Sequence, residues 1–375
     1  MQPAADPPSR LARYRRLAPS AGVFVSPICF GGMSIGDQWP GIGAGDKEES
    51  FKLLDAYGDA GGNFIDTANM YQNGRSEEII GEWMEARQNR SEIVLATKYA
   101  GQWQRHNSAV KSQASYVGTS YKSMYESLEG SLKKLRTSYV DIFYVHFWDY
   151  TSSIEEVMNG LHTLVALGKV LYLGISDAPA WIVSEANRYA KDHGKTPFVI
   201  YQGAWNVCTR DMERDLIPMC RAHGMAIAPW NVLFQGKIRT DEEEEERRKS
   251  GAKGRTGAGS TWERTEDQKK VCKVLEKIVQ ETGAKNLRSV AIAYVMQKTT
   301  HVFPILGVKT VEQFETNLDA LNVALTDDHI RQIEDTIPWD SGFPHNMLGD
   351  GTVTNSNLRS VIWYQQDPLP QPFRP

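Results

Sequence analysis

Eight short apolar, β-branched runs recur along the chain, and stretches with helical spacing fill the gaps between them. They are VSPICFGGM from Val25, GGNFIDTA from Gly61, EIVLATKY from Glu92, VDIFYVHF from Val140, VLYLGISD from Val170, PFVIYQGAW from Pro197, MAIAPW from Met225 and VFPILGV from Val302. Most are continuous in apolar character rather than alternating, as expected of parallel strands buried on both faces. Of the intervening segments, SYKSMYESLEGSLKKLR from Ser120 sets Tyr121, Met124, Leu128, Leu132 and Leu135 at helical spacing. SIEEVMNGLHTLVALG opens on a cap at Ser153 and closes at Gly168. Eight strand–helix units predict an α/β fold, a (β/α)8 barrel of the TIM type. An open doubly wound sheet gives the same alternation for much of its length, but no dinucleotide fingerprint is present. The nearest candidate, GIGAGD at Gly41, has Asp46 where the third glycine of GxGxxG would stand, and reads as a loop leading into a helix cap.

A barrel of this kind accounts for all 375 residues as one domain, with a core over about 14–338 and a short N-terminal extension. A long loop is expected over 236–265, and a C-terminal extension over 338–375 is expected to lie across the active face. Forty-two Lys and Arg against 46 Asp and Glu give a net charge of −4, too near neutrality to suggest nucleic acid or an anionic membrane as the main partner. A small molecule is the expected partner. No apolar run approaches the length of a membrane helix, and the first 25 residues lack the apolar stretch of a secretory signal, so a cytoplasmic location is expected. Cys29, Cys208, Cys220 and Cys272 lack CxxC spacing and read as reduced, buried thiols with no metal. The acidic run DEEEEERRK from Asp241 and the stretch GAKGRTGAGS from Gly251 read as a solvated, mobile surface, placed where a lid over a barrel's active face would lie.

Barrel active sites form at the C-terminal ends of the strands. There Asp66 ends the second run, Tyr71 follows five residues later, Lys98 ends the third and His146 ends the fourth. Taken singly, each has a plain reading: a capping carboxylate, a loop aromatic, a solvated strand end, a histidine satisfied by a carbonyl. Together they are harder to dismiss, because a lysine inside the apolar run IVLATKYA requires a carboxylate and Asp66 stands on the neighbouring strand. A cation beside Tyr71 would favour its phenolate, and His146 could orient a carbonyl by a hydrogen bond. No side chain supplies hydride, so this set implies a nicotinamide.

The segments GGNFIDTANMY (Gly61 to Tyr71), ATK ending at Lys98, YVHFWD around His146 and GISD (Gly174 to Asp177) resemble the aldo-keto reductase superfamily, in particular its fungal aryl-alcohol dehydrogenase and norsolorinic acid reductase branch. The similarity runs from about Tyr14 to Pro338. It implies a catalytic tetrad of Asp66, Tyr71, Lys98 and His146, with Tyr71 as general acid. It also implies that Ser176, Asp177 and Gln202, with Asp66 nearby, hold a nicotinamide carboxamide, and that Trp230 stacks on the ring. Gly307 and Lys309 would meet a 2′-phosphate, and Gln313 and Asn317 an adenine, making the expected cofactor NADP(H). The residues themselves support an anion here, since a helix starting near Val311 presents free N–H groups.

Past Trp230 the chain departs from its relatives, with Phe234 and Gln235 where small glycines are usual. Only Leu233, Gly236 and Lys237 are carried over as cofactor contacts. Trp39, Trp103, Phe147, Trp148, Trp339 and Phe343 fall in rim loops or the tail and suggest an aromatic substrate, with His146, Trp39, Trp103 and Trp148 as candidate contacts. The expected activity is interconversion of an aromatic or hydrophobic carbonyl and its alcohol. The competing readings are an NADPH-binding regulatory subunit resembling the potassium-channel β subunit, and a lyase forming a Schiff base on Lys98.

Overall fold

The computed structural model describes residues 5–251, 261–349, 351–352 and 354–375. A hairpin comes first, β1 (Arg15–Ala18) antiparallel to β2 (Ala21–Val25). There follow β3 (Cys29–Gly31), α1 (Lys47–Asp59), β4 (Phe64–Asp66), α2 (Arg75–Arg87), β5 (Val94–Tyr99), α3 (Tyr121–Leu135), β6 (Val140–Val145) and α4 (Ile154–Ala166). The second half runs β7 (Val170–Ser176), α5 (Ala180–Asp192), β8 (Phe198–Ala204), α6 (Leu216–His223), β9 (Ala226–Trp230), α7 (Asp241–Ser250), α8 (Glu266–Thr282), α9 (Leu287–Lys298), β10 (Ile305–Leu306), α10 (Val311–Leu318) and α11 (Asp327–Glu334). Among the described residues β3 to β10 form one eight-stranded sheet in the order β10-β3-β4-β5-β6-β7-β8-β9, every neighbouring pair parallel.

The run from Val302 does two jobs. Val302 bridges to Ile227 of β9, with Ile227 N–H donating to His301 O at 2.9 Å and Phe303 N–H to Ile227 O at 2.8 Å. Three residues on, Ile305 pairs with Cys29 of β3. The circle of strands is thereby closed as a (β/α)8 barrel.

Strand periodicity places the chemistry. Side chains alternate between the barrel interior and the helix layer, so Phe64 and Asp66, Val94, Ala96 and Lys98, Ile142, Tyr144 and His146, and Ile200 and Gln202 share the inward side. Register then levels them: Asp66 pairs with Ala96, Lys98 with Tyr144, and Ser176 with Gln202. The first inward positions are apolar and the last are polar, so the interior changes character toward the C-terminal end. Gly174 makes room at that level, because a Cβ there would stand 2.4 Å from the Tyr144 ring.

The apolar lower layer is capped by the hairpin. Leu17, Ala18, Ala21 and Val25 cluster with Cys29, Phe64, Val94, Ile142, Ile200, Ala226 and Phe303, all buried. Val25 therefore belongs to this floor, and the first barrel strand starts later, at Cys29.

The acidic run is a helix rather than a loop, and is exposed along most of its length. Thr240 and Glu243 form a capping box, acidic residues fill the first turn of α7 and Arg247, Arg248 and Lys249 the last, matching the helix dipole at both ends. Glu244 is buried and accepts from Arg239 Nε at 3.1 Å and Arg264 Nε at 2.7 Å, while Arg264 also donates to Arg239 O at 2.6 Å. Residues 252–260, most of the stretch GAKGRTGAGS, lie outside the described residues.

The C-terminal extension is held near both of its ends. It starts beside the loop after β8, where Arg214 donates to Asp340 O and the guanidinium of Arg210 lies 4.5 Å from the Trp339 ring centre. It ends beside the floor hairpin, with Arg15 stacked 4.4 Å from Phe373 and Arg374 paired to Asp327 at 2.6 Å. Among the described residues no helix is long and apolar enough to cross a membrane.

Candidate active site

Asp66, Lys98, Tyr71 and His146 meet at the polar upper level of the barrel. Lys98 is fully buried, and its Nζ donates to Asp66 Oδ1 at 2.5 Å and to Thr67 O at 2.7 Å. Burial works against the ammonium, but Asp66, by charge and hydrogen bond, together with Tyr71 and Cys29 outweighs it, and the pKa of Lys98 lies above its ordinary value. A Schiff base requires the neutral amine, so this pairing opposes the lyase reading. Gln202 Nε2 donates to the other Asp66 oxygen at 3.0 Å, leaving the carboxylate held on both sides.

The Lys98 ammonium lies 5.0 Å from the centre of the Tyr71 ring. Burial raises the phenol's pKa above its ordinary value and the Lys98 charge opposes the rise, so Tyr71 carries its proton at neutral pH. His146 meets Tyr71 edge-on, ring centres 5.7 Å apart. Burial and the Lys98 charge push its pKa down to about 3, so it is neutral, and its Nδ1 is buried with no hydrogen-bond partner among the described residues.

Tyr71 sits on a short turn after β4 in which Gln72 and Asn73 take φ of 50° and 57°. Three contacts from elsewhere fix that turn. Gln72 Nε2 donates to Met33 O at 2.9 Å, Asn69 N–H donates to Lys98 O at 3.2 Å, and Lys134 Nζ of α3 donates to Asn69 O at 3.0 Å. Lys134 is paired at 2.5 Å with the fully buried Glu77, which accepts from Thr97 Oγ1, the neighbour of Lys98. The sequence reading missed this support, because Glu77 and Lys134 look like ordinary helix-surface charges. It also missed Asn69, whose side-chain oxygen and nitrogen are both buried without a partner among the described residues.

Residues 27–338 match the model of the Aldo/keto reductase family. The chain belongs to the aldo-keto reductase family. It is 58% identical to an aryl-alcohol dehydrogenase [NADP(+)] of Phanerodontia chrysosporium over 100% of this chain and 98% of the relative. It is 50% identical to norsolorinic acid reductase B of Dothistroma septosporum over 91% and 85% of the two chains, and 46% identical to norsolorinic acid reductase A of Aspergillus parasiticus over 96% and 91%. As a member of this family the chain is an oxidoreductase that works with a nicotinamide cofactor.

The upper rim of this aldo-keto reductase fits such a group in its donor set. Ser176 is buried at the end of β7, Asp177 follows with φ 43°, and Trp230 Nε1 donates to Asp177 Oδ1 at 3.2 Å with the indole more than a third exposed. Ser176, Gln202 and Trp230 thus stand on three consecutive strands. After the strand that closes the barrel beside β9, Gly307 and Lys309 precede α10. Lys309 N–H donates to Gln313 Oε1 at 3.0 Å and its Nζ to Gly41 O at 2.5 Å, while Asn317, one turn on, is buried.

The loop after Trp230 runs through left-handed backbone at three residues that are not glycine. Asn231, Phe234 and Gln235 have φ of 60°, 49° and 56°, the left-handed region in which glycine is favoured. Leu233 is half-buried against the core, Gly236 is exposed, and Lys237 is buried with its Nζ 5.7 Å from the Phe234 ring centre.

A cleft of about 480 Å³ opens beside the turn that carries Tyr71. Its walls are Trp39, whose ring is 6.2 Å from that of Tyr71, then Met70 and Asn73 from the Tyr71 turn, and Gln102, Trp103, Arg105 and His106 after β5. Trp148 is buried in the core instead, Phe147 packs against His146, and Trp339 is clasped by Arg210 away from the cleft. Phe343 is exposed in the tail.

Proposed function

We propose that the protein is an NADPH-dependent reductase of aromatic or hydrophobic aldehydes and ketones, running in reverse as an aryl-alcohol dehydrogenase. The observation that carries this reading is the buried Lys98–Asp66 pair set against the Tyr71 ring, beside a cleft with two indole walls. The bound nicotinamide supplies hydride to the carbonyl carbon. Tyr71 donates its proton to the carbonyl oxygen as charge develops there, and the Lys98 ammonium stabilises the phenolate left behind. Asp66 keeps Lys98 charged and in place. His146, neutral, orients the same oxygen by a ring N–H.

Ser176, Asp177 and Gln202 are assigned to the carboxamide, and Trp230 to the nicotinamide face. Gly307, Lys309, Gln313 and Asn317 are assigned to the adenosine phosphate, with Leu233, Gly236 and Lys237 along the pyrophosphate. The Lys309 charge beside the first turn of α10 supports NADP(H) over NAD, which meets an acidic residue at its ribose. Trp39 and Trp103 are assigned to the substrate. The whole chain is proposed to act as one barrel unit in the cytoplasm, a reading supported by four free thiols. The regulatory-subunit alternative is not favoured by relatives named as dehydrogenases and reductases.

The test is NADPH oxidation with 4-methoxybenzaldehyde by wild type and Tyr71→Phe. The expected result is a loss of kcat of at least about 100-fold with cofactor affinity changed less than about 2-fold. Equal turnover by the two proteins would remove Tyr71 from the mechanism.

A further inference from the structure

The cleft beside the Tyr71 turn carries one formal charge, the Arg105 guanidinium. Arg105 and His106 stand on its wall, and no carboxylate contributes to the lining. Neither side chain makes a hydrogen bond or ion pair with any described residue. The other nearby cation is spoken for, since Lys134 lies 5.0 Å from the Trp103 ring centre but is paired to Glu77. An exposed arginine is ordinarily just solvated. Here it shares a concave lining with two indoles, where low-dielectric walls strengthen its field, and no carboxylate stands in that lining.

The cleft also has a direction. Met70 and Asn73, from the turn that carries Tyr71, and Trp39, whose ring stands against the Tyr71 ring, form one part of its lining, and the residues after β5 form another. A carbonyl held at Tyr71 would lay its ring system along Trp39 and Trp103, with the far substituents toward Arg105. We propose that this cleft selects aromatic carbonyl compounds bearing an anionic substituent, a carboxylate or an acidic phenol, on the side remote from the carbonyl, with Arg105 as the partner of that anion. A guanidinium suits this role because its fork of donors pairs with two oxygens at once. The proposal rests on the carbonyl-reductase reading of the same site and adds the class of substrate.

The test compares 4-formylbenzoate with its near-isosteric neutral ester, methyl 4-formylbenzoate, in wild type, Arg105→Ala and Arg105→Lys. In wild type the carboxylate is expected to have a KM at least about 5-fold below that of the ester, the gap narrowing as salt rises. Arg105→Ala should raise KM for the carboxylate about 10-fold and for the ester less than about 2-fold, with Arg105→Lys between, as loss of a charge-assisted pair predicts. Equal KM values for the two aldehydes in wild type, or an equal rise for both in Arg105→Ala, would overturn the proposal.

A binding arm separates this from failure of the hydride-transfer reading. Terephthalate, which has no carbonyl to reduce, should quench the tryptophan fluorescence of wild type saturably and in a salt-sensitive way, and at least about 5-fold more weakly in Arg105→Ala. That result without turnover of either aldehyde would overturn the reductase reading while supporting the anion site. Quenching indifferent to Arg105 would overturn the anion site even if both aldehydes were reduced.

Discussion

Lys134 Nζ donates to the Asn69 carbonyl at 3.0 Å, two residues before Tyr71, while paired at 2.5 Å with the buried Glu77. The α3 helix thereby anchors the turn that presents the phenol. Lys134→Met leaves Glu77 buried without its cation and is expected to cost about 3 kcal/mol of stability. Chemical denaturation should show it, and adding Glu77→Met should return part of the loss. A positioning role further predicts that Lys134→Met lowers kcat more than it raises KM, whereas a merely structural pair would leave both unchanged in the folded fraction.

Lys98→Met should be more damaging. Asp66 keeps the Gln202 donor but loses the ammonium at 2.5 Å, in a site from which water is excluded. A loss of about 3–5 kcal/mol is expected from the uncompensated charge, with Asp66→Asn in the same chain recovering part of it. Thermal melts of the single and double variants decide this, and an undiminished single variant would refute the buried-pair account.

His146 makes stability depend on acidity. It titrates near 6.5 in the unfolded chain and near 3 in the fold, so between those values the unfolded chain binds more protons. Stability contributed by neutral His146 is complete above pH 6.5 and is lost as pH falls toward 3. Between pH 6.5 and 5, wild type should lose about 1–2 kcal/mol more than His146→Asn. Parallel losses in urea titrations at the two pH values would contradict the neutral buried imidazole.

Gln235 is exposed and sits at φ 56°. A glycine there removes the left-handed penalty, and Gln235→Gly should raise stability by about 0.5–1 kcal/mol, visible as a higher melting temperature. A lower melting temperature would show that the Gln235 side chain contributes something the backbone conformation does not reveal.

The barrel and the Asp66–Lys98 pair were legible because both follow from local pattern. Eight β-branched runs fix the strands, and a lysine in an apolar strand leaves its carboxylate partner little choice of place. Elements defined by contacts distant in sequence were less so. Val25 reads as part of a barrel strand because its apolar character is the same in floor and wall, and only pairing with Arg15 separates the two. The run from Asp241 is solvated as it reads except at Glu244, because composition does not reveal that this one carboxylate turns inward between Arg239 and Arg264. Among the rim aromatics, Trp39 and Trp103 reach the cleft while Trp148 packs in the core, a distinction set by loop paths and not by residue type.

The floor hairpin gives the barrel a sealed end. Leu17, Ala18, Ala21 and Val25 close one mouth with apolar packing, while Trp39, Trp103 and Arg105 line the other. What holds the fold together and what greets a small molecule are therefore written in different stretches of chain. The loops after Ile35 and after Tyr99 are thus where single side-chain changes at the cleft leave the sealed end untouched.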